Sequence, residues 1–522
     1  MKVTIEQAKD GHKVPVIETD GKIVHLGSMY DGRYAASVWC DRNLSKRSGS
    51  LILVGIGDCQ IALEAASRLK NHLLVFEPDK EVIEKIKTSR LYKKLQGCSN
   101  TEISTDVDRI EVWMNRIYNE DTFEDLDFYV HPGYQQAEWN ETIDSIRDMS
   151  AKKIKELISF RASMIAISDT MITNILKNVP KMKGSMLLSR LQKVWDPSIP
   201  FIIVGAGPSL NKNVDLLKNV GNKACILCLD TAYMALKERG IRPHIVCTVD
   251  VLKPLEVFGD PDEWDIPMVV IASSRPEILD MAKENLIWCT ESNAYTRAIR
   301  GAMGGDEGLF PLEYGVSSMG IATAVSLGAN QIVFIGMDLA YSEDKKSHAC
   351  VVEDDFEKFD HEVVEGYNGG VVYSRGDWLQ MKQWIEIIAE SDKWGRYIDA
   401  TEGGAKIQGM PQMTLEKVIS YLKEPEEDWT KAFSDPSVRI SDEEYDQMMD
   451  RYCKSLEEFD DIQKISYEDA FYGNKCKDYK VFSLVRGFMK SLTENTREER
   501  FEKAKLVFGE IIEGLRGEMD DV

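Results

Sequence analysis

Residues 201–213, FIIVGAGPSLNKN, pass from a four-residue apolar run through Gly205-x-Gly207 into a helix-compatible stretch. A strand that turns on two glycines straight into a helix is the opening unit of a parallel βαβ fold. A similar phrase occurs about 150 residues earlier, LILVGIGDCQ, with Gly55 and Gly57 at its turn. A chain of 522 residues is too long for one hydrophobic core. The echo therefore predicts two Rossmann-like α/β domains.

The first series fills an expected N-terminal α/β domain at 1–140, with strands at Leu51–Val54 and HLLVFEP, a helix near Ile61–Lys70, another helix after HLLVFEP, and further elements through LDFYVHP. Residues 141–194 read as a helical connector, because apolar residues recur at three-and-four spacing in IKELISFRASMIAISDTMITNILKNV. The second series, expected over 195–424, has strands at 201–204, 224–229, 245–249, 268–271, 331–335 and 396–399. From 425 to 522 glycine thins out and acidic helical sequence takes over, with Ser441 three residues before Glu444 as a capping box. The expected fold class is α/β: two Rossmann-like domains followed by an all-helical C-terminal region.

Lys and Arg total 64 against 87 Asp and Glu, a formal charge of −23. That excludes a broad nucleic-acid footprint, which needs a basic surface, but not a single nucleotide held by backbone amides. The start, MKVTIEQAKDG, has no apolar signal region, and no apolar run approaches the ~20 residues that span a bilayer, so no membrane partner and a cytoplasmic location are expected. Cys225-x-x-Cys228 lies in an expected strand, where residues three apart face opposite sides and cannot share one metal.

Amides at a helix start favour anions. In GAGPSL, Pro208 fits the first helical position but removes one of those amides, and Leu210 stands where a dinucleotide fold needs its third glycine. The turn therefore suits one phosphate, with Gly205, Ala206, Gly207, Pro208 and Ser209 as its cradle and the Ser209 hydroxyl as an added donor. In the first copy Glu77 stands 20 residues after Gly57, the spacing of a ribose-binding acid. Polar residues then gather at the ends of the second series of strands: Asp230 and Thr231, Asp250, Ser317 and Ser318 at a helix start, Gly336 and Asp338, Tyr341 and His348, and Thr401, Glu402 and Gly403. Open parallel sheets put their ligands at those ends, although single members also serve as caps or turn residues.

VGAGPSLNKN, TAYMALKERGIRPHIVCTVD, LGANQIVFIGMDLAYSEDKKSHA and DATEGGAKIQGM, in that order over about residues 170–420, resemble the motility accessory factor (Maf) family of flagellin glycosyltransferases. GAGPSL and the strand before Asp338 also resemble bacterial sialyltransferases that use CMP-activated donors. The resemblance implies a sialyltransferase-like central domain that transfers a nonulosonic acid, pseudaminic or legionaminic, from CMP to Ser or Thr of flagellin. The polar residues just named would then be the donor-nucleotide site. The resemblance credits the N-terminal domain with no catalysis. The chain departs from the pattern at Pro243-His244, where the family often has Pro-Asp.

Such a transfer needs a base for the acceptor hydroxyl and donors for the departing phosphate. Histidine titrates close to working pH, and His348 stands in a loop directly after a motif strand, so it is the expected base. Tyr341 and the Gly205–Ser209 turn are the expected leaving-group donors. Asp230, Asp250 and Glu402 are candidates for ribose or base. No metal or cofactor is required by this reading, and a weakly bound Mg²⁺ is compatible with it. Two rivals are a hydroxymethylpterin pyrophosphokinase and a non-catalytic nucleotide-binding factor in flagellar assembly.

Overall fold

The structure, a computed structural model, describes residues 2–19, 22–44, 49–117, 126–135, 139–259, 264–291, 309–310, 315–349, 356–392, 396–471, 485, 488–489 and 496–520. It divides into two compact units, Met1–Ala166 and Ile167–Val522, and the division falls within the helix Asn140–Asn178.

In the first unit β1 (Lys2–Gln7), β2 (Lys13–Thr19) and β3 (Lys22–His25) form an antiparallel meander. A parallel sheet follows, made of β4 (Ser50–Val54), β5 (Leu73–Phe76), β6 (Thr101–Ser104) and β7 (Leu126–Val130) in the order β6-β5-β4-β7. Every residue of β4 and β5 is buried, which is why these strands read as unbroken apolar runs rather than alternating ones. The chain leaves β4 toward β5 and β6, then returns to the other side of β4 as β7. The crevice between β4 and β7 is therefore the switch point of this sheet.

The second unit repeats this plan on a larger scale. β8 (Met186–Leu187), β9 (Phe201–Val204), β10 (Cys225–Leu229), β11 (Ile245–Cys247), β12 (Met268–Val270) and β13 (Leu286–Trp288) precede the short pair β14 (Thr290–Glu291) and β15 (Leu309–Phe310). β16 (Ile332–Ile335), the hairpin β17 (Glu362–Glu365) and β18 (Val371–Ser374), and β19 (Tyr397–Asp399) follow. Eight strands make one all-parallel sheet in the order β19-β16-β9-β10-β11-β12-β13-β8, with its switch point between β9 and β16. The six expected strands all occur. The expected helical run 141–194 is corrected: the long helix stops at Asn178, and Met186–Leu187 becomes the outermost strand of the sheet.

Cys225 and Cys228 are both buried in β10, and burial pushes both thiols well above their usual range, as befits packing residues. Helices make up the C-terminal region: Asp442–Gln463, Tyr467–Phe471 and Arg497–Asp520. The expected capping box starts the first of them. Ser441 N–H donates to Glu444 at 2.9 Å, and Ser441 Oγ accepts from Glu444 N–H at 3.3 Å. The same carboxylate binds Arg190 at 2.7 Å, which with the capping bonds holds Glu444 down at about 2. No helix among the described residues is long and apolar enough to cross a membrane.

Candidate active site

Gly55 and Gly57, the first glycine turn, are closed by the protein itself. Glu77 is fully buried and accepts from Ile56 N–H at 2.9 Å, from Asp79 N–H at 2.9 Å and from the Tyr134 hydroxyl. Burial still pushes its carboxyl up to about 7. The Tyr134 ring fills the turn so tightly that a Cβ on Gly55 would lie 2.4 Å from it. The correctly spaced acid thus clamps the turn from inside, where no ribose reaches it.

The second turn opens instead onto a cavity of about 470 Å³ at the carboxyl ends of β9, β10 and β16. Here two strand ends meet glycine to glycine. A Cβ on Gly205 would lie 2.5 Å from the Gly336 carbonyl oxygen, and one on Gly336 would lie 2.3 Å from the Gly205 oxygen. Gly336 also has a φ of 60°, so its position suits no side chain on either ground.

The turn does not present its amides as the spacing suggests. Gly205 N–H goes to Ile335 O at 2.8 Å and Gly207 N–H to Gly336 O at 2.7 Å. Ser209 N–H donates to Asp338 at 2.9 Å and its hydroxyl donates to the same carboxylate at 2.5 Å. Asp338 is therefore itself the anion at this helix start, and the expected phosphate contacts of Ser209 and Pro208 are corrected: the first is spent inside the protein, and neither residue lines the cavity. Burial pushes the Asp338 carboxyl up to about 6 in spite of the Ser209 bonds.

Of the residues expected from sequence, Gly205, Ala206, Gly207, Asp230, Thr231 and Ser317 line this cavity, and so do Gly336, Asp338 and His348. The His348 loop is stitched to the glycine turn, since Ala349 N–H donates to Ala206 O at 2.7 Å and Asn211 Nδ2 to Ala349 O at 3.0 Å. His348 Nδ1 lies 3.0 Å from Ser347 Oγ. Asp230 is buried at the end of β10. It accepts from Thr231 N–H at 2.7 Å and Thr248 Oγ1 at 3.1 Å, and pairs with Lys253 at 3.0 Å.

Others are placed elsewhere. Tyr341 is buried and packs against Phe356 and Trp378, its ring centroids 4.9 and 4.8 Å away, with its hydroxyl 3.5 Å from Arg375. The expected leaving-group role is corrected to support of the Trp378 wall. Asp250 is exposed and accepts from Leu252 N–H at 2.9 Å, a turn carboxylate. Ser318 is buried, with its hydroxyl on Gly315 O at 2.8 Å. Thr401, Glu402 and Gly403 back the turn rather than the cavity. Glu402 accepts from Asn213 Nδ2 at 3.1 Å, and a Cβ on Gly403 would lie 2.8 Å from Ser209 Cβ.

Sequence reasoning missed the opposite wall. Asp377, Trp378, Gln380 and Met381 line the cavity from the first turns of the helix Gly376–Ser391. The Arg375 guanidinium stacks on Trp378 at 4.0 Å, which fixes the indole. The helix follows the hairpin β17–β18 rather than a strand of the main sheet, so a search along strand ends passes it by. Among the described lining residues there is no lysine or arginine.

Asp399, at the end of β19, is a second buried carboxyl behind the turn. Burial, with the nearby Asp338 charge adding to it, pushes it up to about 6, while its bond from Thr401 N–H at 3.1 Å pulls the other way. The native state therefore holds this proton between about pH 4 and 6 while the unfolded chain releases it. That contribution is fully present below about pH 4 and is lost as pH rises through 6. Asp399→Asn is expected to raise stability by about 1–3 kcal/mol at pH 8, and to flatten the decline between pH 4 and 6. Denaturant melts at both pH values measure this. Equal pH profiles for the two proteins would contradict it.

A parallel sheet with a cavity at its switch point defines the class as a Rossmann-like, doubly wound α/β fold. Residues 173–344 match the family model described as 6-hydroxymethylpterin diphosphokinase MptE-like. Among curated proteins none matches the chain. Among solved structures the chain is similar to the MAf glycosyltransferase from Magnetospirillum magneticum AMB-1, with a TM-score of 0.60 and 15% identity over 98% of this chain and 86% of that one. The fold is thus that of a Maf glycosyltransferase, in agreement with the resemblance carried by the four sequence motifs.

Proposed function

We propose that this protein is a glycosyltransferase that moves a nonulosonic acid from a CMP-activated donor to a Ser or Thr hydroxyl of flagellin. The observation that carries the reading is the cavity between the Gly205–Gly207 turn and Trp378, with His348 over it, in a chain of this fold. Its volume of about 470 Å³ lies in the usual range for small-ligand sites and suits a mononucleotide better than a dinucleotide. Trp378 offers a flat face to a pyrimidine, a contact worth about 1–3 kcal/mol in other nucleotide sites.

In this reading His348 takes the proton from the acceptor hydroxyl as the glycosidic carbon separates from the phosphate oxygen. Ala206 N–H is the turn amide left to meet that phosphate, because Gly205, Gly207 and Ser209 already bond within the protein. The acceptor chain would approach along a larger groove of about 1150 Å³, lined in part by Val251 and Leu252, whose neighbour Lys253 pairs with Asp230 of the donor cavity. The family match over residues 173–344 favours a second reading, a pterin diphosphokinase.

Thermal unfolding separates the two. CMP at about 100 times its dissociation constant should stabilise the protein by about 2.7 kcal/mol, whereas NAD should not. A shift with ATP and Mg²⁺ but none with CMP would replace the transferase by the kinase.

A further inference from the structure

The switch point of the first unit holds a cavity of its own, about 230 Å³, between the carboxyl ends of β4 and β7. This is well below the roughly 300–1,000 Å³ of drug-sized sites, so its ligand is small. Most of the turn amides are already engaged within the protein. Gly55 N–H goes to Phe76 O at 2.7 Å, Ile56 N–H to Glu77 at 2.9 Å, and Gly57 N–H to the Tyr134 hydroxyl at 3.3 Å. Gln60 N–H goes to Asp58 at 2.9 Å, which places a carboxylate where a nucleotide would need a donor.

What the lining offers is a mixed set of donor and acceptor. Asp58 is buried, and its carboxylate is held by His12 Nε2 at 3.1 Å, with Asp10 on the other ring nitrogen of that histidine. The Asp58 hydrogen bond is the main reason His12 is raised to about 9. A Cβ on Gly27 would lie 2.3 Å from Asp58 Oδ2, so glycine there leaves the carboxylate its room.

His131, at the end of β7, is 3% exposed. Burial pushes it down to about 4, which makes it neutral. Its Nδ1 accepts from Gly133 N–H at 3.1 Å, so the ring proton sits on Nε2. That Nε2 makes no hydrogen bond among the described residues, and the ring lines the cavity. Trp39 supplies an aromatic wall, held edge-on to Tyr129 at 5.5 Å, and the Ser28 and Gln60 side chains complete the polar lining.

We infer that the first unit binds one small uncharged polyol or monosaccharide ring at its switch point, with Asp58 accepting from ligand hydroxyls, His131 Nε2–H donating to one, and Trp39 packing on the ring's C–H face. The site is independent of the donor cavity and of the reading given to it. A dinucleotide is excluded by Tyr134 and Glu77, which fill its place.

Saturation-transfer NMR on the full chain with glucose, galactose and myo-inositol tests the inference, with CMP as an internal control for the second unit. At least one of the three should receive saturation from the wild type. The signal should fall at least fivefold in Trp39→Ala and in Gln60→Ala, a variant that keeps the Asp58–His12 pair, while the CMP signal stays. Transfer to none of the three, or transfer undiminished in both variants, overturns the inference. Failure of CMP alone would bear on the transferase reading and leave this site standing.

Discussion

His348→Ala is expected to lower transferase turnover by about 10²–10⁴-fold, the span over which general bases contribute, with CMP affinity within about twofold of wild type. The loop that carries His348 is tied to the glycine turn by Ala349 N–H on Ala206 O, not through the imidazole, so removing the ring leaves the cavity wall in place. Steady-state turnover and CMP titration, run on the same variant, separate the two effects. A parallel loss of turnover and affinity would make His348 a binding residue. Unchanged turnover would remove it from the chemistry.

Asp338→Ala should be the most damaging single change to the second unit. It strips the acceptor from both the Ser209 amide and the Ser209 hydroxyl, and all of these groups are buried. The carboxylate also fills a close-packed spot, since a Cβ on Gly207 would lie 2.1 Å from Asp338 Oδ1. Unpaired buried donors cost about 1–3 kcal/mol each. Partial relaxation of the hydroxyl, and relief of a carboxyl that burial already disfavours, bring the expected loss to about 2–4 kcal/mol in chemical denaturation. Asp338→Asn keeps the shape and one acceptor and should lose less than half of that. If the alanine variant unfolds at the wild-type midpoint, Asp338 is not the keystone of the turn.

These two residues show how far the sequence was legible. FIIV, CILCL and the run before Gly336 were plain because strands buried on both faces carry no alternation. Met186–Leu187 was not, because two residues carry no period, and the helical pattern before them masked the change. The strand-end rule found Asp230, Ser317 and His348, which do share a cavity. It misread Ser209, because its partner Asp338 lies 129 residues away and nothing local announces the bond. It passed over Trp378, which reaches the cavity from a helix behind a hairpin. Glu77 has the right spacing for a ribose, yet Tyr134, 57 residues further on, turns the same carboxylate inward.

The cavity between the second glycine turn and Trp378 is proposed to receive a cytidine monophosphate. A crystal structure of the full chain with CMP tests it most directly. The pyrimidine is expected against Trp378, with the phosphate beside Ala206 N–H and His348. Nucleotide density in the first unit, or an empty cavity at saturating CMP, would contradict it.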